Sequence, residues 1–339
     1  MNLLENMKKL GNAHGVSGNE AEASCIAKQL LLPNMNRVEI DEFGNVSGYR
    51  FCERPNAFKL MLDAHIDQVG YIVRQITDDG FVCITEVAAD RMFLPGKVVA
   101  ILTKGGIIRG IVSILPPNVH ISEYAGNEPV PTERLYIDVG MTGEQARELI
   151  DIGDYVVWDN NAIELQGGVI CGKASDDRAG FLAIAYAMEL LKDKNIPVDL
   201  IVVGSTKEET DGHGAKTRAY RDQPDMIIAF DVGGPENYGN GPIIPVGPVS
   251  RSFIAERFKS VAKSSDIPFI NRCSPGVSGT NAKHFQTVDH GFKTAYISMP
   301  QKYMHTPTEM VTVRDIELTG KLIAQFVLSL ELPLKEVHS

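Results

Sequence analysis

Five acidic or histidine-bearing segments of this chain each follow a run of apolar, β-prone residues. The segments are His65-Ile66-Asp67, Asp176-Asp177, Glu208-Glu209, Asp231 and His305. The runs before them cover residues 59–62, 168–171, 200–203, 226–230 and 294–299. In an open α/β sheet, ligands bind beyond the carboxyl ends of the strands. The pattern therefore predicts one crevice that collects two imidazoles and several carboxylates, a donor set suited to a pair of divalent metal ions.

Strands and helices alternate on both sides of residues 69–165, which predicts an α/β fold. Apolar residues recur with the helical period of 3.6 over residues 178–195, and a strand is predicted over residues 198–204. Further helices are predicted over residues 21–32, 250–265, 280–286 and 313–330, and a strand over residues 267–270. Ser17 and Glu20 have the spacing of a capping box, which predicts Ser17 as the N-cap of the second helix. Repeated βα units form a mostly parallel sheet with helices on both faces.

Residues 69–165 show a different pattern, in which short β-prone runs alternate with glycine and proline. The runs cover residues 70–73, 81–84, 97–102, 107–115 and 135–139, and one helix is predicted from Thr142 to Ile150. Short strands at such close spacing favour a small β-barrel or sandwich. We therefore predict two domains, a first formed by residues 1–68 and 166–339, and a β-rich domain of residues 69–165 inserted into it.

Charge and cysteine usage exclude several classes of protein. The net charge is −10, whereas nucleic-acid binding requires a basic surface, so no nucleic-acid partner is expected. The five cysteines are scattered and lack C-x-x-C spacing, which argues against a disulfide framework or a structural zinc site. Neither a signal peptide nor an apolar run of 18 residues is apparent, so we expect no membrane partner and a cytoplasmic location.

Each strand-end segment taken alone also fits an ordinary structural role. Adjacent aspartates commonly cap a helix, and adjacent glutamates commonly lie in a solvated loop. Residues i and i+2 of a strand share a face, so Asp67 is placed to hydrogen-bond His65 and fix its tautomer. Glu209 is suited to binding a metal while its neighbour Glu208 takes a proton from a metal-activated water. Placement of all the segments after successive strands favours the catalytic interpretation.

The segments also belong to motifs that run nearly the whole length of the chain. They are Ser17-Gly18-x-Glu20, Asp41-x-x-Gly44-Asn45, Ala64-His65-Ile66-Asp67, Asp176-Asp177-Arg178-Ala179-Gly180, Glu208-Glu209, Phe230-Asp231, Gly279-Thr280-x-Ala282 and Tyr303-x-His305-x-x-x-Glu309. The predicted insert adds matching stretches at residues 95–98, 111–120 and 152–154. Together they resemble the tetrahedral, or TET, dinuclear metalloaminopeptidases, a family that includes glutamyl and deblocking aminopeptidases and is often labelled endoglucanase-like.

The resemblance implies a role for each strand-end residue. Asp176 would bridge two divalent metal ions per subunit, with zinc, cobalt and manganese all compatible with the ligands. His65 and Asp231 would complete one metal site, and Glu209 and His305 the other. The general base would be Glu208, with Asp67 orienting His65. The resemblance further implies a zinc-peptidase-like catalytic domain, a PDZ-like insert that serves oligomerisation and substrate access, and a hollow homododecamer that admits short peptides.

Five positions depart from the family pattern. Gln68 stands where an acidic residue is usual, Asn281 where aspartate is usual, and Lys302 where arginine is usual. Lys207 replaces a glutamine, and a cation beside Glu208 is expected to lower the pKa of that carboxyl. His213 lies in the stretch 210–214, which is interpreted as a loop that replaces a more apolar one. These changes bear on substrate preference more than on metal binding.

The leading hypothesis is a metallo-exopeptidase that removes N-terminal residues from short peptides through a metal-activated water. One alternative is a related metal-dependent amidohydrolase that deacylates N-acyl amino acids, which would act on N-acetylated but not on free aminoacyl amides. The other is a catalytically silent metal-binding assembly protein, which would hydrolyse no peptide with any added metal.

Overall fold

Helices and strands alternate along most of the chain. The computed structural model describes residues 1–114, 130, 132–234, 237–250 and 252–330. Its helices are α1 (Leu3–Asn12), α2 (Ala21–Leu31), α3 (Gly143–Leu149), α4 (Ser175–Leu191), α5 (His213–Asp222), α6 (Ser252–Ser264), α7 (Ala282–Phe285) and α8 (Val313–Leu328). Its strands are β1 (Arg37–Ile40), β2 (Val46–Arg50), β3 (Lys59–His65), β4 (Gly70–Ile76), β5 (Phe81–Val87), β6 (Val98–Thr103), β7 (Gly106–Ile114), β8 (Leu135–Asp138), β9 (Tyr155–Trp158), β10 (Ile163–Glu164), β11 (Val169–Gly172), β12 (Asp199–Ser205), β13 (Met226–Val232), β14 (Ile243–Val246), β15 (Ile270–Cys273), β16 (Thr294–Met299) and β17 (Glu309–Thr312).

An eight-stranded sheet has the order β1-β2-β12-β3-β13-β16-β14-β15. Its four central strands, β12, β3, β13 and β16, run parallel. Ser205 pairs with His65 at the last position of one ladder, and Asp231 pairs with Ser298 near the end of another. The parallel registers thus bring the carboxyl ends of these strands to one edge of the sheet, where ligands bind in folds of this class.

Side chains of the central strands alternate between two cores, one on each face of the sheet. Leu60 and Leu62 belong to the larger core, which also contains the apolar faces of α4 and α8. Met61 belongs to a smaller core that contains Ala219 of α5 and Phe285 of α7. Strands buried on both faces read as continuous apolar runs, as these do. The prediction of an α/β fold with helices on both faces is confirmed.

The strands of residues 70–158 close into a barrel with the order β4-β5-β8-β7-β6-β9. Its interior is apolar and includes an edge-to-face contact between Tyr71 and Trp158, whose ring centroids lie 5.7 Å apart. Strand β9 was not predicted, although its pairing with both β4 and β6 completes the barrel. The predicted β-barrel is confirmed, while the boundaries at 69 and 165 stay a prediction.

Several local predictions differ from the structure. The strand predicted over 267–270 is wrong, because β15 spans Ile270–Cys273. The stretch 210–214 is not wholly a loop, since α5 begins at His213. The end of the strand predicted over 107–115 lies outside the described residues, as does most of the matching stretch 111–120. Among the described residues, no helix has the length and apolar character to cross a membrane.

Candidate metal centre

The predicted residues come from the carboxyl ends of four strands and the first turn of one helix. His65 is the last residue of β3, and Asp231 lies near the end of β13. Glu208 and Glu209 follow β12, and His305 follows β16. Asp176 lies in the first turn of α4, where the backbone departs from helical dihedral angles.

These side chains form two groups of nitrogen and oxygen donors that share Asp176. In the first group, ligand atoms of His65, Asp176 and Asp231 all lie within 4.8 Å of one another. In the second, those of Asp176, Glu209 and His305 do so. Asp176 Oδ1 is 3.0 Å from His65 Nε2, and its Oδ2 is 3.4 Å from His305 Nε2. Each oxygen of this carboxylate therefore faces a different group.

The carboxylates of the two groups are buried close together, which shifts their proton affinities. Burial and then the charge of Asp176 raise the pKa of Asp231 well above its usual range. Burial opposes ionisation of Asp176 itself, but hydrogen bonds from His305 and His65 lower its pKa. Burial also disfavours the charged form of His305, yet hydrogen bonds to Asp176 and Glu209 raise its pKa to about 11. Buried carboxylates are costly unless cations compensate them, so the donor set fits two divalent metal ions.

Glu208 belongs to neither group, although it lies beside both. Burial, followed by the charge of Glu209, raises the pKa of Glu208 to about 8, against the opposing effect of His65. A carboxyl tuned toward neutral pH is suited to accept and return a proton. That Lys207 lowers this pKa stays a prediction. Its Nζ lies 5.1 Å from the ring centroid of Phe43.

The carboxylate of Asp67 faces both His65 and the turn that carries the glutamates. Its Oδ1 is 3.5 Å from His65 Nδ1 and accepts a hydrogen bond from the backbone N–H of Glu208 at 3.1 Å. Its Oδ2 accepts one from the backbone N–H of Glu209 at 3.2 Å. Asp67 is therefore placed to orient the imidazole of His65 and the turn of Glu208 and Glu209 together.

The neighbouring aspartates of α4 divide two tasks. Asp177 Oδ1 accepts a hydrogen bond from the backbone N–H of Gly180 at 3.1 Å, so this carboxylate caps the helix. Asp176 points instead toward the two histidines. Capping and a place in the candidate centre thus coexist in adjacent residues.

Glu309, for which the sequence pattern predicted no role, joins the two donor groups through the backbone. Its Oε2 accepts from the N–H of Asp176 at 3.1 Å, and its Oε1 accepts from the N–H of His305 at 2.9 Å. Burial, then the charge of Asp176, raises the pKa of Glu309 to about 8. The fixed spacing of four residues from His305 was the available signal.

Two of the departures from the family pattern lie in buried hydrogen-bond networks. Gln68 Oε1 accepts a hydrogen bond from Nη2 of the buried Arg178 at 3.2 Å. Asn281 Nδ2 donates to Oδ2 of Asp63 at 2.9 Å. The side-chain amides of Gln68 and Asn281 therefore make hydrogen bonds in the buried region behind the candidate centre.

The other departures lie nearer the surface. His213 is exposed and is the first residue of α5. Nζ of Lys302 lies 4.5 Å from the ring centroid of Tyr238, a cation–π distance. Neither residue belongs to the two donor groups.

The family of the chain follows from a match that covers most of this architecture. Residues 44–322 match the M42 glutamyl aminopeptidase family. The chain belongs to this family. The matched range includes every residue of both donor groups as well as Glu208. The predicted resemblance and the prediction of an aminopeptidase, a hydrolase that acts as an exopeptidase, are confirmed at this level.

Individual relatives match nearly the whole chain. A lysyl aminopeptidase of Pyrococcus furiosus is 29% identical over 335 residues, which are 94% of each chain. A TET aminopeptidase structure from a marine sediment Thaumarchaeota archaeon has a TM-score of 0.89 at 26% identity and covers 98% of both chains. The Pyrococcus horikoshii TET1 peptidase, described as assembling into a tetrahedron or a large octahedral shell, has a TM-score of 0.85 at 26% identity, covering 97% of this chain and 100% of its own.

Proposed function

We propose that this M42 aminopeptidase is a dinuclear enzyme that releases the N-terminal residue of short peptides. The observation that carries the proposal is the pair of donor groups that share Asp176, with Glu208 beside them. The first metal ion would be held by His65, Asp176 and Asp231, and the second by Asp176, Glu209 and His305. Zinc, cobalt and manganese all suit this mixture of imidazole and carboxylate ligands.

When bound, two such ions polarise a carbonyl group and lower the pKa of a water molecule. The residues of the chain supply the proton transfers. Glu208 accepts the proton of the attacking water and returns it to the departing amine, since it lies half-buried beside the donor groups without belonging to them. Asp67 keeps Glu208 in place through the backbone of the turn.

The inserted domain and the assembly of subunits are the features that we connect with substrate access. We assign oligomerisation and control of substrate access to the inserted domain of residues 69–165, and a homododecamer to the assembly. The support is the likeness to a TET peptidase that can assemble into a tetrahedron or a large octahedral shell. Such a shell would admit short peptides and exclude folded proteins. The five cysteines are unpaired, which supports a cytoplasmic location.

The substitution Glu208→Gln tests the assignment of the base. It keeps the volume of the side chain and removes its ability to take a proton, so kcat should fall by about 10²–10⁴-fold. Metal content, measured by inductively coupled plasma mass spectrometry, should not change. Glu256→Gln is a matched control, because Glu256 is exposed and pairs with Lys259 at 2.8 Å on α6. A Glu208→Gln enzyme within tenfold of wild-type turnover would refute the assignment.

The substrate class is tested with free and N-acetylated aminoacyl amides in the presence of zinc, cobalt or manganese. An enzyme that binds a free α-amine cleaves the free amides and spares the acetylated ones. Cleavage of the acetylated amides alone would contradict the proposed aminopeptidase and identify a deacylase. Inactivity on both the free and the acetylated amides, in protein with metal bound, would favour the catalytically silent assembly protein.

A further inference from the structure

The hydroxyl of Ser17 faces the catalytic turn. Glu20 is the residue that precedes α2, and its Oε1 accepts the backbone N–H of Gly18 at 2.7 Å. Ser17 makes no cap, so the predicted capping box is wrong. Its Oγ donates a hydrogen bond to Oδ2 of Asp67 instead. Both partners are buried, with exposed fractions of 5% for Ser17 and 0% for Asp67.

Asp67 is the point at which Ser17 reaches the site. The same carboxylate accepts the backbone N–H groups of Glu208 and Glu209, so three donors fix its orientation. Thr210, the next residue of the turn, places its Oγ1 3.4 Å from Ser17 Oγ. When a buried carboxylate loses one of its hydrogen-bond donors, it rotates or recruits a water molecule, because each of its oxygens needs a hydrogen-bond partner. Rotation of Asp67 would release the turn that holds Glu208.

Ser17 is itself held against the barrel by its two neighbours. Val16 packs in an apolar cluster with Ala100 of β6 and Val157 of β9. Gly18 has a φ of +96°, and a Cβ at this position would lie 2.4 Å from the hydroxyl of Tyr155. A side chain could not be accommodated there without moving the tyrosine. The barrel therefore fixes the position from which Ser17 donates.

The backbone of this segment is tied to the strand end that carries Asp67. The N–H of Ser17 donates to the carbonyl of Gln68 at 3.1 Å, and the N–H of Gln68 donates to the carbonyl of Gly15 at 2.9 Å. These bonds hold Ser17 beside Asp67 even if its hydroxyl is removed. The loss of the hydroxyl can therefore be tested without loss of the segment.

We infer that Ser17 is a positioning residue, whose hydroxyl fixes Asp67 and, through it, the turn bearing Glu208 and Glu209. This inference rests on the proposed function, since it assigns a catalytic use to that turn. It also makes the barrel part of the catalytic apparatus within one subunit, because Val16 and Gly18 carry the barrel contacts.

The first test compares the kcat of Ser17→Ala with the kcat of two other variants, Ser17→Thr and Ser24→Ala. Ser17→Ala should lower kcat about tenfold, the scale of losing one hydrogen bond to a charged group, with little change in KM. Ser17→Thr keeps the hydroxyl and should restore kcat to within about twofold. Ser24→Ala is the matched control, because Ser24 is also buried but donates to the carbonyl of Gly44 at 2.7 Å rather than to Asp67. Equal kcat in Ser17→Ala and wild type would overturn the inference.

The second test asks whether Ser17 acts through Asp67. In a double-mutant cycle, Ser17→Ala should cost kcat much less in an Asp67→Asn background than in wild type, because residues that share one interaction are not additive. The same fold loss in both backgrounds would show that Ser17 acts elsewhere. If Ser17→Ala does not fold, the cycle is run with Ser17→Cys, whose thiol is a weak donor of similar size.

A third measurement needs no turnover and so separates this inference from the proposed function. The amides of Glu208 and Glu209 donate to Asp67, and their hydrogen exchange should be faster in Ser17→Ala than in Ser24→Ala. Unchanged exchange contradicts the inference even if the wild type is inactive on every peptide. Faster exchange in an inactive wild type would support the contact while the proposed function fails.

Discussion

The buried guanidinium of Arg178 should be among the costliest side chains to remove. It donates to three carbonyl oxygens, at 2.6 Å to Leu10, 2.7 Å to Ala13 and 2.9 Å to Ile66, and at 3.2 Å to Oε1 of Gln68. These bonds join the end of α1 to the strand end that precedes Asp67. Arg178→Met keeps the apolar stem and leaves all four acceptors buried without this donor.

The expected loss of stability in Arg178→Met is the difference between two opposing contributions. Each buried acceptor left without a donor costs about 1–3 kcal/mol, so the four together cost about 4–12 kcal/mol. Keeping the cation of Arg178 buried offsets more than half of this, because desolvation of an ion costs several kcal/mol. We therefore expect Arg178→Met to lower the free energy of unfolding by about 3–5 kcal/mol, the difference between these two contributions.

The assay is urea unfolding followed by circular dichroism, with a chelator present so that bound metal adds nothing to any variant. Arg109→Met is the matched control, because Arg109 is 64% exposed and pairs with Asp159 at the surface. Surface pairs contribute about 0–1 kcal/mol, so the control should unfold close to wild type. Arg178→Met within about 1 kcal/mol of wild type, or equal losses in both variants, would refute the reasoning.

Two further predictions concern pH and metal. Burial, then the charge of Lys216, lowers the pKa of His284 in the folded protein to about 4. Between pH 6.5 and about 4, His284 therefore takes up a proton in the unfolded chain but not in the folded one. The free energy of unfolding consequently falls as the pH falls through this range. His284→Gln should remove about 1–2 kcal/mol of that loss, and an unchanged slope of unfolding midpoint against pH would contradict it. Chelation should abolish peptide hydrolysis and lower the unfolding temperature, because an ion at 100 times its Kd adds about 2.7 kcal/mol to the folded state. Full activity in protein shown to be metal-free would contradict the dinuclear proposal.

The order of the strands explains how much of the site could be predicted from sequence. His65, Asp231 and Glu209 follow apolar runs that are recognisable as strands, and parallel pairing alone brings such ends together. Ser17 could not be assigned this way. Its spacing to Glu20 satisfied a local rule, whereas its partner Asp67 lies 50 residues away.

The elements that were missed have weak local patterns. Among the strands that the structure describes, β15 pairs with β14 alone at the edge of the sheet, so its half-exposed residues do not form the apolar run that was expected over 267–270. Helix α5 is largely polar and buries small side chains such as Ala215 and Ala219, which give little helical periodicity. Strand β9 has only four residues, and its role in closing the barrel depends on partners far along the chain.

The central pairing of β3 with β12 has a consequence for synthesis of the chain. All the strands of the barrel lie between these two in sequence, so they leave the ribosome before β12 does. Because domains fold largely as units while the chain emerges, the barrel should be complete before the sheet can acquire its middle strands. A nascent chain that stops ahead of residue 199 would then hold a finished barrel while β2 and β3 still lack β12, the strand that joins them, and the glutamate turn is still to be made.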